Sequence, residues 1–303
     1  MLVYLKPESS LPELSSDTIF GAIIHSFSQL YPDELDDIMD LFTSDPPFLV
    51  SSSFPYIDDD ERVRFYPKII TEPEKRYDPQ KFKKYKKTSH IQEEIFLDWI
   101  SGEIGEADIV ESIDDYRVYR GLLFDSELDL KFGEEEFEEP HNVVNRIERK
   151  TENIFHMTRV FYDNMGRFFL VKFRDESFRP YLKSALKFLS DRGMGPDVST
   201  GKGHFSFEIA ENRLQDNGGD RFLTLSRFIP SPDEVKALGA DAWFELGSKR
   251  GRGPDGEIRR RVRFFREGST FRDTGREYYG TIVRAGKSAV EYGLAYKLTV
   301  GGG

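Results

Sequence analysis

The sequence predicts an α+β fold, and three observations carry the prediction. Apolar residues recur at helical spacing in Ile19, Phe20, Ile23, Ile24, Phe27 and Leu30, and again in Tyr181, Leu182, Ala185, Leu186 and Leu189. Between and after them lie short runs of aromatic and β-branched residues, in a chain with 26 phenylalanines, which suits a core built mostly on strands. The order strand, helix, strand, strand, helix, strand over residues 1–210 is that of a ferredoxin-like fold. At 303 residues the chain is long enough for a second unit, and residues 211–303 predict a smaller, strand-rich one.

Each element follows in order. Met1 to Lys6 alternates weakly and predicts a first strand; a loop runs from Pro7 to Ser15. Ser16-Asp17-Thr18 opens the first helix with small polar residues able to cap free amides. Pro32-Asp33-Glu34-Leu35 opens a short second one. Prolines bracket the segment from Pro46 to Tyr56, so it is extended chain ending in a turn, and Arg62 to Ile70 predicts another strand. Lys81 to Gly102 predicts one helix with a basic first half. Glu103 to Pro140 is acidic and poor in periodicity, as an insertion outside the core would be. Val143 to Val160 alternates in part, Arg167 to Phe173 is a buried strand, and the second helix stops at Gly193. A glycine-bearing loop then leads into a strand from His204 to Ile209. Further strands are expected at 222–229, 242–246, 260–265, 278–283 and 291–300.

Composition excludes several classes of function. There is no cysteine, which removes disulfide scaffolds, thiol catalysis and cysteine-ligated zinc or iron–sulfur sites. Nothing approaches a ~20-residue apolar span, and no signal peptide is visible, so a soluble cytoplasmic protein without membrane contact is expected. The formal net charge of −11 is uneven: residues 241–303 hold thirteen Lys/Arg against eight Asp/Glu, a surplus of five, which leaves −16 for residues 1–240. The acids crowd into Asp125–Asp129 and Glu134–Glu139. The cations crowd into Lys81–Lys87, Lys249-Arg250-Gly251-Arg252 and Arg259–Arg263. A local basic groove on an acidic particle can hold a phosphate backbone; taken singly, each cluster reads first as a solvated face.

The loop Gly193-Met194-Gly195-Pro196-Asp197-Val198-Ser199-Thr200-Gly201-Lys202-Gly203-His204 is the most informative local feature. Its glycines permit positive φ and close backbone approach, and its successive amides can form an anion-binding concavity. Ser199, Thr200, Lys202 and His204 add side-chain donors. It follows a helix and leads into a strand, so it is no P-loop, and it also reads as a plain helix-to-strand turn. Arg259, Arg261 and Arg263 share one face of a strand, either as a ladder along a nucleic-acid backbone or as an exposed face paired with acids. The five histidines are scattered, and no metal-ligand spacing or nucleophile elbow is present; no cofactor is expected.

Several segments resemble the RAMP superfamily of CRISPR proteins, and within it the subunits of type III-A effector complexes that hold the 5′ tag of the CRISPR RNA. Ser16 to Ile23 is similar to its opening helix motif, and Pro47 to Tyr56 followed by Phe65-Tyr66-Pro67-Lys68 to its second signature. His141-Asn142-Val143-Val144-Asn145-Arg146-Ile147 with Thr151 resembles its hairpin motif, and the glycine loop its glycine-rich loop. Glu267 to Phe271 and Glu291 to Tyr296 resemble two C-terminal blocks. The motifs run from residue 16 to residue 296; Asp197 and Val198 depart from the more basic or small residues common in the loop, which puts those two positions in doubt.

The resemblance implies two ferredoxin-like (RRM-like) domains: 1–210, with an insertion around 57–140 and a thumb hairpin around 139–161, and 211–303. It implies a non-catalytic subunit that grips the crRNA tag, caps the backbone filament, and docks on the large polymerase-like signature subunit and an adjacent RAMP subunit, in antiviral defence. RNA-binding candidates are then Ser16, Asp17 and Thr18 at a helix start, where anions are favoured. The hairpin adds His141, Asn142, Asn145, Arg146, Arg149, Lys150 and Thr151. The loop adds Gly193, Gly195, Ser199, Thr200, Gly201, Lys202, Gly203 and His204, and the basic segment adds Lys249, Arg250 and Arg252. Single-stranded RNA is read by such hydroxyls, amides and arginines together with aromatic platforms. Two alternatives stay open: a metal-independent RAMP endoribonuclease using His25 or His204 as general base, and the equivalent subunit of a type III-B complex. The acidic stretch 125–139 either faces a basic partner or is disordered.

Overall fold

The structure, a computed structural model, describes residues 1–72, 77–145, 150–195, 198, 201–214, 216, 218–239, 241–251, 258–286 and 289–301, with the backbone alone of 134, 141–145, 150–155 and 157. The chain begins with β1 (Leu2–Pro7), α1 (Ser16–Leu30) and α2 (Leu35–Ser44), followed by the short strands β2 (Phe48–Val50) and β3 (Phe54–Asp58). The inserted segment holds β4 (Arg62–Pro67), α3 (Pro79–Tyr85), β5 (His90–Gln92), α4 (Glu93–Ser101), α5 (Glu106–Glu111), β6 (Tyr116–Tyr119) and β7 (Leu122–Asp125). A long hairpin of β8 (Gly133–Asn145) and β9 (Lys150–Asp163) leads to β10 (Met165–Phe173), α6 (Arg179–Arg192) and β11 (Phe205–Ala210).

The main sheet runs β11-β1-β10-β3-β4-β5-β7-β6, with β2 also on β10. Its first four strands are mutually antiparallel and give the ferredoxin-like arrangement, with α1 packed on α6. The physical basis is the pattern read from sequence. Leu2 to Leu5 are buried, α1 buries Ile19, Phe20, Ile23 and Phe27, and α6 buries Leu182, Ala185, Leu186 and Leu189. A methyl group at Gly166 of β10 would stand 2.5 Å from the Tyr56 ring, so only glycine lets β3 approach there. Three buried serines join β2 to β3: Ser51 Oγ accepts from Leu170 N at 2.8 Å, Ser52 Oγ from Ser16 N at 2.9 Å and Ser53 Oγ from Leu14 N at 2.9 Å. They satisfy backbone donors that would otherwise be buried without partners, and so fix the entry to α1.

The inserted segment departs from expectation. The single helix expected over 81–102 is broken into α3, β5 and α4, because the Thr88–Gln92 stretch pairs with β4 and, in parallel, with β7. Residues 103–125 belong to the core and extend the sheet: Ile109, Val110, Ile113, Leu122, Leu123 and Phe124 are buried. Acids at the start of α4, Glu93 and Glu94, and Gly102 at φ +83° past its end delimit that helix. The hairpin begins at Gly133, six residues before the expected thumb, and takes Glu134 to Glu139 into its first strand.

The remainder holds β12 (Arg221–Thr224), α7 (Pro232–Leu238), β13 (Leu246–Lys249), β14 (Val262–Phe265), β15 (Thr270–Arg272), β16 (Val283–Arg284), β17 (Val290–Glu291) and β18 (Lys297–Val300). They form a three-stranded sheet β15-β12-β18 and two ribbons, β13-β14 and β16-β17. The strands expected at 242–246, 278–283 and 291–300 shrink or shift, the first keeping a bridge at Trp243 and the start of β13 at Leu246. A small core of Phe222, Phe228, Leu238, Phe271, Tyr279 and Ala295 lies here. Leu223, Leu225, Tyr292, Leu294, Tyr296 and Leu298 instead join the main core. Tyr292 stacks near Phe20 at 4.7 Å, and its hydroxyl accepts from Val50 N at 2.9 Å.

Candidate nucleic-acid interface

The glycine loop is built against the β1–α1 connection. Met194 N donates to Gly203 O at 2.9 Å, Gly203 N to Ser10 O at 3.0 Å, His204 N to Ser9 Oγ at 2.9 Å and Glu8 N to His204 O at 2.9 Å. Gly193 and Gly203 sit at φ +93° and +76°, and a Cβ at Gly203 would come within 2.2 Å of Met194 O. Glycine is therefore required for the loop's neck to close. Gly195 (φ +101°) lies over Pro12 and Leu14, and Gly201 (φ +78°) donates to Val198 O. Ser199 and Thr200 lie outside the described residues.

The same neck meets the base of the hairpin. Val160 N donates to Ser10 Oγ at 3.2 Å. Arg159 is buried and its Nε donates to Glu139 Oε2 at 2.8 Å; Lys202 Nζ stands 3.5 Å from the same oxygen. Glu139, read from sequence as part of an unexplained acidic run, thus ties the loop lysine to the hairpin. The strand pairs His141↔Phe155, Asn142↔Ile154, Val144↔Thr151 and Asn145↔Lys150 place the other hairpin candidates toward the far end. Six residues of extended strand separate Glu139 from Asn145, roughly 20 Å. Lys202 is brought to the hairpin's base and not to that end; Arg146 and Arg149 lie outside the described residues.

Ser16 and Asp17 are interior. Ser16 Oγ accepts from Arg227 N at 3.0 Å, while the Asp17 side chain, 3% exposed, accepts from Arg227 Nη1 at 2.9 Å and from Lys249 Nζ. Burial pushes the Asp17 carboxyl up, but the Arg227 and Lys249 cations beside it outweigh burial and hold it below the usual carboxylate value. Lys249 also reaches Glu291 Oε2 at 3.3 Å, Arg259 Nη1 approaches the other oxygen, Oε1, at 3.4 Å, and the Arg227 guanidinium lies 4.4 Å from the Phe264 ring centre. Thr18 is half-buried, with its hydroxyl 3.1 Å from Ser15 Oγ. Ser16 and Asp17 join α1 to the C-terminal part of the chain.

Arg250, Arg261 and Arg263 are exposed, the last two flanking the buried Val262 on β14 as the alternation requires. Arg252 lies outside the described residues. His25 is exposed on α1, and His204 is half-buried at the loop's end. The sheet offers no bare stacking platform at its centre: Tyr4 and Tyr56 are 4% and 2% exposed, and the Arg62 guanidinium lies 4.2 Å over Tyr4. An aromatic pair that sequence reasoning missed stands on the hairpin instead. Phe137 and Phe161 are 53% and 38% exposed, with ring centres 5.7 Å apart at 80°. Among the described residues no cluster of three or more His, Asp or Glu could hold a metal ion, and no helix is long and apolar enough to cross a membrane.

No protein-family model matches the chain. The CRISPR system protein Csm4 of Thermococcus onnurineus (strain NA1) is 25% identical over 95% of this chain and 88% of its own length. A solved chain of a Csm3–Csm4 subcomplex from a type III-A CRISPR–Cas interference complex shares the fold with a TM-score of 0.72 and 16% identity, covering 99% of both chains. A chain of a Csm1–Csm4 cassette in complex with pppApA does so with a TM-score of 0.60 and 19% identity, covering 99% of this chain and 96% of that one. Over nearly its whole length the chain is similar in sequence to the Csm4 protein of Thermococcus onnurineus and shares the fold of the chain from the Csm3–Csm4 subcomplex.

Proposed function

We propose that the chain is the Csm4 subunit of a type III-A CRISPR effector complex, and that it grips the 5′ tag of the crRNA without cutting it. In this reading it caps the filament, docks on a Csm1-type large subunit and a Csm3-type neighbour, and works in the cytoplasm. The solved relatives are described with Csm3 and with Csm1, which supports the choice of partners. Residues 1–210 and 211–303 form its two domains. The observation that carries the reading is the joint at Ser10, where the neck of the glycine loop and the hairpin are bonded to one segment. The amides of the loop and Lys202 then face phosphates, while the hairpin, with His141, Asn142, Asn145, Arg146, Arg149, Lys150 and Thr151 on its far part, meets bases. Ser199, Thr200, His204, Arg250 and Arg252 extend this surface, and Asp17, flanked by Ser16 and Thr18, holds Lys249 beside it.

The test is tag-bearing RNA bound to the reconstituted complex over a salt series. About five phosphate contacts predict a log–log slope of roughly −3 to −4. Replacing Lys202 and Arg146 together by Ala flattens the slope by about one unit or more and weakens tag retention while the protein stays folded. Salt-insensitive retention, or native retention by the double variant, rejects the assignment of these residues.

A further inference from the structure

We propose that the cleft between the hairpin's base and the inserted segment holds one nucleotide of single-stranded RNA, its phosphate on Arg167 and its base and ribose in the wider lobe beside Thr88. The proposal rests on the RNA-binding reading above and adds to it a site apart from the glycine loop.

Two hollows adjoin here. The smaller, about 180 Å³, lies between Phe132, Tyr162 and Arg167 on one side and His90 and Leu122 on the other. The larger, about 490 Å³, is walled by Phe54, Pro67, Ile70 and Thr88, with Lys68, Lys86 and Arg266 set against Glu13, Glu245 and Glu267. The two share Glu13, Ser89 and His90 and so lie side by side, as two lobes of the proposed cleft. The wider lobe alone lies within the ~300–1,000 Å³ usual for small-ligand sites.

Each lobe contains a buried polar group without a partner among the described residues. Arg167, on β10, is 8% exposed; its Nη2 donates to Tyr162 Oη at 3.2 Å, while Nε and Nη1 bond to nothing. Nε and Nη1 point from opposite edges of the guanidinium, so one oxyanion takes one of them, and a buried cation with open donors favours such an anion. An arginine cannot shed its charge, so leaving these donors buried and unpaired is costly unless an anion arrives. In the wider lobe Thr88 Oγ1 is likewise buried without a partner. Burial pushes the His90 imidazole down to about 4, against the pull of Glu13, and Arg167 adds to the fall. At neutral pH His90 is an uncharged hydrogen-bonding wall between the lobes. A phosphate joined to a polar, flat group meets all three demands, and a nucleotide is that ligand.

The experiment uses the full chain, with Arg167→Met, Arg167→Lys and Thr88→Val as variants. Probes are a labelled oligoribonucleotide, adenosine 5′-monophosphate and inorganic phosphate. Expected results are at least about tenfold weaker oligoribonucleotide binding by Arg167→Met, and several-fold weaker binding by Thr88→Val. Without anion, the Tm of Arg167→Met equals or exceeds that of the native chain, because an unpaired buried charge has been removed. The mononucleotide raises the native Tm and leaves that of Arg167→Met unmoved; inorganic phosphate does so more weakly, since it fills one lobe. A phosphate effect equal to the mononucleotide's rejects the nucleotide and leaves an anion site. Native RNA affinity in Arg167→Met overturns the proposal while the RNA-binding reading stands; loss of RNA binding by Lys202→Ala with native binding by Arg167→Met separates the two. An Arg167→Met chain that fails to fold while Arg167→Lys folds and binds RNA normally also overturns it.

Discussion

Asp17→Asn is the most informative single change. The carboxylate is almost fully enclosed and carries both the Arg227 and Lys249 cations, whose side chains are 26% and 35% exposed. Removing one partner of a buried ion pair costs ~3–5 kcal/mol when the other charge is stranded. Here stranding is incomplete: Lys249 keeps Glu291, and Arg227 keeps Phe264. The cost is therefore toward or below the low end, about 2–3 kcal/mol. At ~2–4 °C per kcal/mol for a large domain, Tm falls by about 4–12 °C. The pH dependence has a definite sign. Because the folded-state carboxyl sits below 3.8, its contribution is complete above that value and is lost as pH falls through the folded value. Thermal melts of native and Asp17→Asn chains from pH 7 to pH 3 therefore converge at the acid end. A gap under 1 °C at pH 7, or one that widens on acidification, refutes the reasoning.

Gly203→Ala forces a Cβ into Met194 O at a positive φ, so the loop's neck opens; tag RNA binding falls at least about tenfold, with a Tm loss of a few degrees, as binding and melting assays on the purified chain will read. Phe137→Ala with Phe161→Ala removes an exposed stacking pair, which lowers RNA affinity by ~1–3 kcal/mol per base stacked while Tm moves by less than 2 °C. Equal loss of stability and affinity in that variant would mark the rings as structural.

The parts of this fold that were legible in sequence are those where local pattern and tertiary role coincide. α1 and α6 each show an apolar stripe that does bury, and Gly193 does end α6. The segment 81–102 was misread because Lys81 to Tyr85 and Glu93 to Ser101 are both good helix formers; what separates them is the pairing of Ile91 with Tyr66 and Leu123, a non-local demand. Residues 103–125 look polar because their apolar residues come in short runs without a period. Of the candidate interface, the glycine loop was readable from its own glycines. The pairing of Asp17 with Lys249 was not, since it forms only when α1 and β13 bring residues 232 positions apart together. Arg167 was hidden for the same reason: in sequence it is the first cation of an apolar strand.

The reach of residues 292–298 into the main core has a consequence for biosynthesis. Translation adds ~5–20 residues per second, and domains ordinarily close as they emerge. Here Phe20 and Val50 wait for Tyr292, more than two hundred positions downstream. Throughout that interval, of about ten seconds or more, an oily patch of the nascent polypeptide stays wet.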